Sequence, residues 1–524
     1  MGYHRHFSTR QTPQSQPIPG STQVANSAGG YSWAVDQWKQ LDRFLILGAE
    51  GGTYYITEQK LTIENANAVL ACIKSDGARA VARIVEISDA GRAPKNNPAL
   101  FALAMASALG DRKTRSLAYE SLPKVVRIGT HLFQFLTYRQ AFGGWSAGLR
   151  RAVSRWYNDR NADSLAYQMV KYRQRDGWEH RDVLRLSHPK PATDTHNALY
   201  RWATKDEAAG VPRLVEGFLL AEKAENEKAI INLITDYKLT WEMVPTQYLG
   251  SARVWDALLP NLPLTATIRN LGRMTTNGLL APMSDAVRAV VAKVTDQDYI
   301  TKSRIHPLNV LVALRTYTKG SGFRGSLAWK PVGQITDALD EAFYLSFGNV
   351  TPTGKRLMLG IDVSGSMTSL INNLPITCRE AAAAMAMVTA RTERDYVFLG
   401  FAHKLVQLNI TPRQRLDDVI RTVYRSDFGG TDCALPMLAA LEIKMPIDGF
   451  LVYTDNETWF GRIHPTQALN EYRNKMNIPA RLAVVAMTAN RFSIADPNDA
   501  GMLDVAGFDT ATPQVISDFV AGNI

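Results

Sequence analysis

Gly360-Ile361-Asp362-Val363-Ser364-Gly365-Ser366-Met367 places one carboxylate and two hydroxyls in a single turn. The apolar run before it, residues 357–361, reads as a buried strand, so Asp-x-Ser-x-Ser falls where that strand ends. Only hard oxygen ligands are on offer. They suit Mg²⁺, which takes octahedral oxygens at about 2.0–2.1 Å and keeps some of its waters. Two later stretches can complete such a site: Gly429-Gly430-Thr431-Asp432 offers a third hydroxyl, and Tyr453-Thr454-Asp455 ends a second apolar strand with another acid. Taken alone, Asp-x-Ser-x-Ser could be an ordinary turn. The order of the three loops, each near a strand end, favours a site, because ligands of doubly wound sheets collect beyond the carboxyl ends of the strands. No histidine or second carboxylate adjoins the Asp362 turn in sequence. A general base for hydrolysis is therefore not evident, and the arrangement reads as a binding device.

The elements that must position these residues follow a linker at 351–354. Strand-like runs at 356–363, 396–401, 450–453 and 482–487 alternate with helix-like runs at 381–390, 416–424, 434–441 and 465–476. That alternation predicts a mostly parallel sheet covered by helices on both faces. From Trp33 to about Phe347 the pattern is instead helix after helix. Ile63, Ala66, Val69, Leu70 and Ile73 recur at helical spacing behind a candidate Thr62 cap, and Asn97-Pro98 opens an apolar helix that should lie inside a stack. The expectation is an α-solenoid of helical pairs. Residues 1–30 are rich in Ser, Gln, Pro and Gly, contain no acid and read as a disordered leader. The expected domains are therefore 1–30, 31–350 and 351–524.

The chain of 524 residues has a net charge of +10, with 46% hydrophobic and 21% charged residues, a composition typical of globular proteins. No apolar run approaches the roughly 18 residues of a membrane span. Three isolated cysteines suggest neither a disulfide framework nor a zinc site, and a reducing, cytoplasmic setting is expected. The charge is uneven: residues 352–524 hold 16 Lys and Arg against 18 Asp and Glu, which leaves 43 against 31 for residues 1–351. A polyanion, most commonly nucleic acid, is the expected partner of the first part. The densest basic stretch, 150–191, interleaves ten Lys or Arg with Trp156, Tyr157, Tyr167, Tyr172 and Trp178. On a continuous helix Lys171 and Arg175 would share a face. Arg forks onto phosphates and aromatic rings stack on unpaired bases, while the plainer reading keeps the rings in the core.

The acid-and-hydroxyl constellation resembles the metal-ion-dependent adhesion site of von Willebrand factor A domains. That resemblance implies metal contacts from Ser364, Ser366 and Thr431, with Asp362 and Asp455 acting directly or through water. A wider resemblance spans residue 33 to the end. Arg43-Phe44-Leu45-Ile46-Leu47-Gly48-Ala49-Glu50-Gly51-Gly52-Thr53-Tyr54-Tyr55, Lys171-Tyr172-Arg173-Gln174-Arg175-Asp176-Gly177-Trp178, Leu184-Arg185-Leu186-Ser187-His188 and Arg304-Ile305-His306-Pro307 are similar to signatures of the Ro autoantigen family, the TROVE module.

The family resemblance implies a multi-domain α plus α/β protein: a HEAT-like ring of helical repeats closed by a C-terminal doubly wound von Willebrand factor A domain. It implies a monomeric, non-enzymatic scaffold of RNA quality control. Such a scaffold binds Y RNA-like small noncoding RNA on its outer surface, takes single-stranded 3′ ends of misfolded RNA into a central hole, and has an exoribonuclease as working partner. Carried over by motif, Lys171, Arg175 and His188 are the candidate RNA contacts; Arg173 and Arg185 join them on charge. The alternative is an adhesion-type module whose metal, Mg²⁺ or a similar dication, captures an acidic partner.

Overall fold

The computed structural model describes residues 11–323, 326–348, 350–406, 408–424 and 430–524. It divides by contacts into two compact units, one of residues 1–68, 92–94 and 347–524, the other of 69–91 and 95–346. Residues 31–68, expected with the helical domain, thus group with the C-terminal domain.

The expected disordered leader is not borne out over its described part. Residues 1–10 lie outside the described residues, but 11–30 are ordered against the C-terminal domain. Strand β1 (Gln23–Ala25) pairs antiparallel with β2 (Tyr31–Ala34), in register Gln23 to Trp33. Gln14 is fully buried, and Asn26 and Ser32 are nearly so. A polar segment can order this way when its amides find partners on a folded surface, since a matched buried hydrogen bond is favourable and an unmatched one is costly. Arg43, in the helix Gln37–Leu47 that follows, is buried and donates to the backbone oxygens of Asn490 and Phe492 and to the Asp504 carboxylate. Its place in the family signature is thereby a packing role.

The unit of residues 69–91 and 95–346 is helical, as the sequence predicts. Helix Asn97–Leu109 packs on Gly129–Phe142, Arg213–Glu222 on Glu227–Tyr237, and Pro307–Lys319 on Gly333–Leu345. Asn97–Leu109 is buried on nearly all sides, with Pro98, Leu100, Leu103, Met105 and Ser107 all enclosed, so it does lie inside the stack. Side-chain caps start many of these helices: Ser146, Asn161, Thr193, Asn226 and Ser284 each accept a first-turn N–H. Each such cap contributes about 1 kcal/mol. Trp156 and Tyr157 are fully buried; the Trp156 indole donates to the Val126 carbonyl, and the Tyr157 hydroxyl bonds His180. For these two rings the core reading is right. A two-stranded hairpin, β3 (Gln174–Arg175) with β4 (Trp178–Glu179), interrupts the helices.

Among the described residues of the other unit, six strands form one sheet: β5 (Leu357–Asp362), β6 (Tyr396–Phe401), β7 (Leu405–Val406), β8 (Gly449–Thr454), β9 (Arg481–Ala486) and β11 (Met502–Ala506), in the order β11-β9-β8-β5-β6-β7. All neighbours are parallel except β6 and β7. The short β10 (Phe492–Ser493) pairs instead with β2. Met358, Phe450, Val452, Leu482 and Val484 pack with the helices Leu435–Glu442 and Pro465–Met476. The alternate residues Leu359, Ile361, Leu451 and Val485 are buried too. Both faces are therefore covered, which is why these strands read as unbroken apolar runs.

Candidate functional site

Asp362 is the last residue of β5, and Tyr453 of β8 lies opposite Ile361. The parallel register therefore brings the two strand ends, and Asp362 and Asp455 with them, side by side. Beyond β5 the chain turns into a short 3₁₀ segment, Gly365–Thr368, with Ser364 as its extended entry residue. The Asp362 carboxylate is held from both sides: the Ser364 N–H donates to Oδ1 at 2.9 Å and the Thr454 hydroxyl to Oδ2 at 2.7 Å. Ser364 Oγ and Ser366 Oγ stand 3.2 Å apart. Asp455 accepts the Glu457 N–H at 3.1 Å, and the Ser366 hydroxyl also faces its carboxylate. Thr431 is fixed through its carbonyl, which accepts the N–H groups of Trp459 and Phe460 at 3.1 and 3.0 Å. Gly429 of that loop lies outside the described residues. At Gly430 a Cβ would come within 2.8 Å of the Trp459 ring, so the loop needs glycine there.

All five expected metal residues are at most 2% exposed, and the Thr431 hydroxyl, though buried, has no hydrogen-bond partner among the described residues. Burial pushes the Asp362 carboxyl up. Burial, then the neighbouring Asp362 and Glu457 charges, push Asp455 well above the usual carboxylate range. Glu457 itself is pushed up to about 7, chiefly by burial. Three hydroxyls, one of them orphaned, and two crowded carboxylates make a pocket of negative potential with hard donors. A small divalent cation would satisfy the hydroxyls and offset the charge of the two carboxylates. Among the described residues there is no group of three or more His, Cys, Asp or Glu arranged to hold a metal, so a zinc-type centre is not the fit. Cys378 and Cys433 are buried beside these acids, and burial followed by the acid charges pushes both thiols up, leaving them inert.

The residues expected to meet RNA all belong to the helical unit. Lys171 ends the helix Ala162–Lys171, and Tyr172 then leaves helical geometry at φ −117° and ψ 55°. Arg175 lies beyond it on β3, so the shared helical face expected for Lys171 and Arg175 does not exist. The hairpin turn at Asp176-Gly177, with φ of 52° and 80°, explains the break. Asp-Gly is the favoured pair for such a turn, and the twist it imposes is that of paired strands. The Lys171 side chain is 11% exposed; its ammonium donates to the Tyr167 hydroxyl at 2.9 Å and lies 3.4 Å from the Glu242 carboxylate. Arg173 is exposed, lies 3.2 Å from Glu222 and sits over the Phe218 ring. Arg175 is more than half exposed, with Asp176 at 3.5 Å. Arg185 is exposed and donates to the Thr204 carbonyl at 3.3 Å; His188, also exposed, closes its helix in the left-handed conformation. Tyr172 and Trp178 are half-buried, and the Trp178 ring leans on Trp145 at 6.3 Å between centroids.

Several residues around the acidic site were not singled out from sequence. Thr454, Thr458, Asn490 and Gln14 are ordinary polar residues there, and only the packing that brings three distant segments together gives them a task. Thr454 alone had a local signal, being next to Asp455 at a strand end.

Comparison with known proteins fits both units. Residues 356–520 match the family model described as the Ro60 vWA domain, and residues 24–212 and 234–316 match the TROVE domain. The chain is 41% identical over 520 residues to the RNA-binding protein RO60 of Deinococcus radiodurans, covering 98% of each. It is 36% identical over 597 residues to the protein of the same name from Caenorhabditis elegans, covering 98% of this chain and 92% of that one. The crystal structure of the Deinococcus radiodurans RO (RSR) protein superposes with a TM-score of 0.72, over 93% of this chain and 100% of that one. The chain belongs to the Ro60 family, with a TROVE domain followed by the family's vWA domain.

Proposed function

We infer that this protein is a cytoplasmic RNA-binding scaffold of RNA quality control. The observation behind this reading is the near-full-length likeness to a relative named as an RNA-binding protein. The basic excess of residues 1–351 supports it, since a polyanion is held first by its phosphates. Y RNA-like small noncoding RNAs bind the outer surface, where the exposed Arg173, Arg175, Arg185 and His188 offer contacts. Single-stranded 3′ ends of misfolded RNA enter a central hole, and an exoribonuclease acts on what is bound. No step of this function is catalytic.

In the same reading Ser364, Ser366 and Thr431 hold Mg²⁺, with Asp362 and Asp455 beside them. The ion supplies positive charge that holds the three loops together and attracts a partner's acid. Trp459, 36% exposed, and Phe460, 50% exposed, favour a second reading in which this site docks an acidic protein segment, because an apolar rim beside a charge suits a peptide.

The RNA reading is tested by gel shift with one hairpin RNA carrying either a single-stranded 3′ tail or a blunt end. The tailed RNA should bind more tightly at physiological salt. Equal affinity for both would remove the threading step, and no binding of either would remove the RNA function.

A further inference from the structure

The segment 11–30 does more than cover the C-terminal domain. Gln14 uses every polar position of its side chain on two of the three loops of the acidic site. Its Nε2 donates to Asp432 Oδ1 at 2.7 Å and to the Ile463 carbonyl at 2.8 Å, while its Oε1 accepts the Thr458 hydroxyl. Asp432 is the neighbour of Thr431. Thr458 lies three residues after Asp455, and its hydroxyl also reaches the Thr431 carbonyl at 3.3 Å and accepts the Cys433 N–H at 3.2 Å. The backbone joins in: Gln14 N–H donates to the Gly461 carbonyl at 2.9 Å. At Gly461 a Cβ would fall 2.2 Å from Gln14 Nε2, so the loop is shaped for this amide. Farther along, Ser27 and Ala28 N–H groups donate to Glu457 Oε2 at 2.8 and 3.1 Å, and Asn26 Nδ2 to the Thr458 carbonyl at 2.7 Å. At Gly30 a Cβ would lie 2.0 Å from that same carbonyl.

We propose that the N-terminal segment is a working part of the metal centre, with Gln14 as the positioning residue that locks the Thr431 loop to the Asp455 loop. This rests on the Mg²⁺ reading above. The Thr431 loop is also tied just beyond β6, where the Asp432 N–H donates to the Ala402 carbonyl at 3.0 Å. Its place relative to Asp455 is set by the Gln14 and Thr458 side chains and by the Trp459 and Phe460 N–H groups. Residues that orient metal ligands from behind typically change affinity 10- to 100-fold when removed.

The test is Mg²⁺ calorimetry on the full chain, at a temperature where every variant is folded by circular dichroism. Gln14→Met keeps the volume and removes the amide; Thr458→Val cuts the same network from the other side, so either informs if the other fails to fold. Each should weaken Mg²⁺ binding about tenfold. Thr458→Ser, which keeps the hydroxyl, should bind as wild type does. A lower melting temperature with unchanged Mg²⁺ affinity in Gln14→Met and Thr458→Val would overturn the proposal, leaving the segment a structural cover. Absence of Mg²⁺ binding in wild type, or equal binding in Asp362→Ala, would instead overturn the metal reading and the proposal with it.

Discussion

Thr431 has a buried hydroxyl without a partner among the described residues, which is costly unless a ligand uses it. An unsatisfied buried polar group costs about 1–3 kcal/mol, and an apolar group of the same shape does not. Thr431→Val should therefore leave the metal-free protein as stable as wild type or about 1 kcal/mol more so. The same substitution should abolish the added stability that Mg²⁺ gives. Urea unfolding with chelator and then with Mg²⁺ measures both, and a loss of metal-free stability would mean that the hydroxyl has a protein partner. The Asp-x-Ser-x-Ser turn, Thr431 and Asp455 could be found in the sequence because each lies near a strand end or loop of recognisable pattern. Gln14 could not. It sits in a Ser-, Gln- and Pro-rich stretch that composition marks as leader, and its value lies wholly in the geometry of loops more than 400 residues away.

Among the elements, the break between the helix Ala162–Lys171 and the β3–β4 hairpin separates two basic residues that sequence spacing joined. The helical reading overlooked Asp176-Gly177, the local hairpin signal, because the basic residues around it fit a four-residue spacing. Lys171 and Arg175 should now behave differently. Lys171 is mostly buried, bonded to Tyr167 and close to Glu242, so Lys171→Ala should destabilise the helical unit. Removing one partner from a buried polar pair costs about 1–3 kcal/mol. Arg175→Ala should leave stability unchanged. If Arg175 contacts a phosphate, its loss should flatten the salt dependence of RNA affinity by roughly 0.7–0.9 units, the effect of a single contact. Denaturant midpoints and salt titrations of each variant separate the two roles. The candidate Thr62 cap failed for a related reason: the helix begins at Glu58, and its inner face is Leu61, Asn65, Ala68, Val69, Cys72 and Ile73, leaving Ile63 exposed. A polar Asn65 on that face hid its true phase.

At the scale of the whole molecule, each unit has its own core, and the helical one holds two histidines that burial keeps neutral. His180 is enclosed by Phe133, Trp156 and Tyr157, and burial holds it down to about 4; His131, held down by burial and then by the Arg127 charge, also falls to about 4. A histidine lowered on folding binds fewer protons in the native state than in the unfolded one between pH 4 and its unfolded value near 6.5. Stability contributed this way is complete above that unfolded value and falls as pH drops through the window. Each histidine should cost the helical unit roughly 2–3 kcal/mol between pH 7 and pH 4.5. Seven of the ten tryptophans lie in residues 69–346, so indole fluorescence follows chiefly that unit's unfolding. His180→Gln can keep an acceptor for the Tyr157 hydroxyl but cannot take up a proton in this range. It should lower stability at pH 7 and lose roughly 2–3 kcal/mol less than wild type on going to pH 4.5. Parallel losses in wild type and variant would show that the acid sensitivity of this unit lies elsewhere, in its carboxylates.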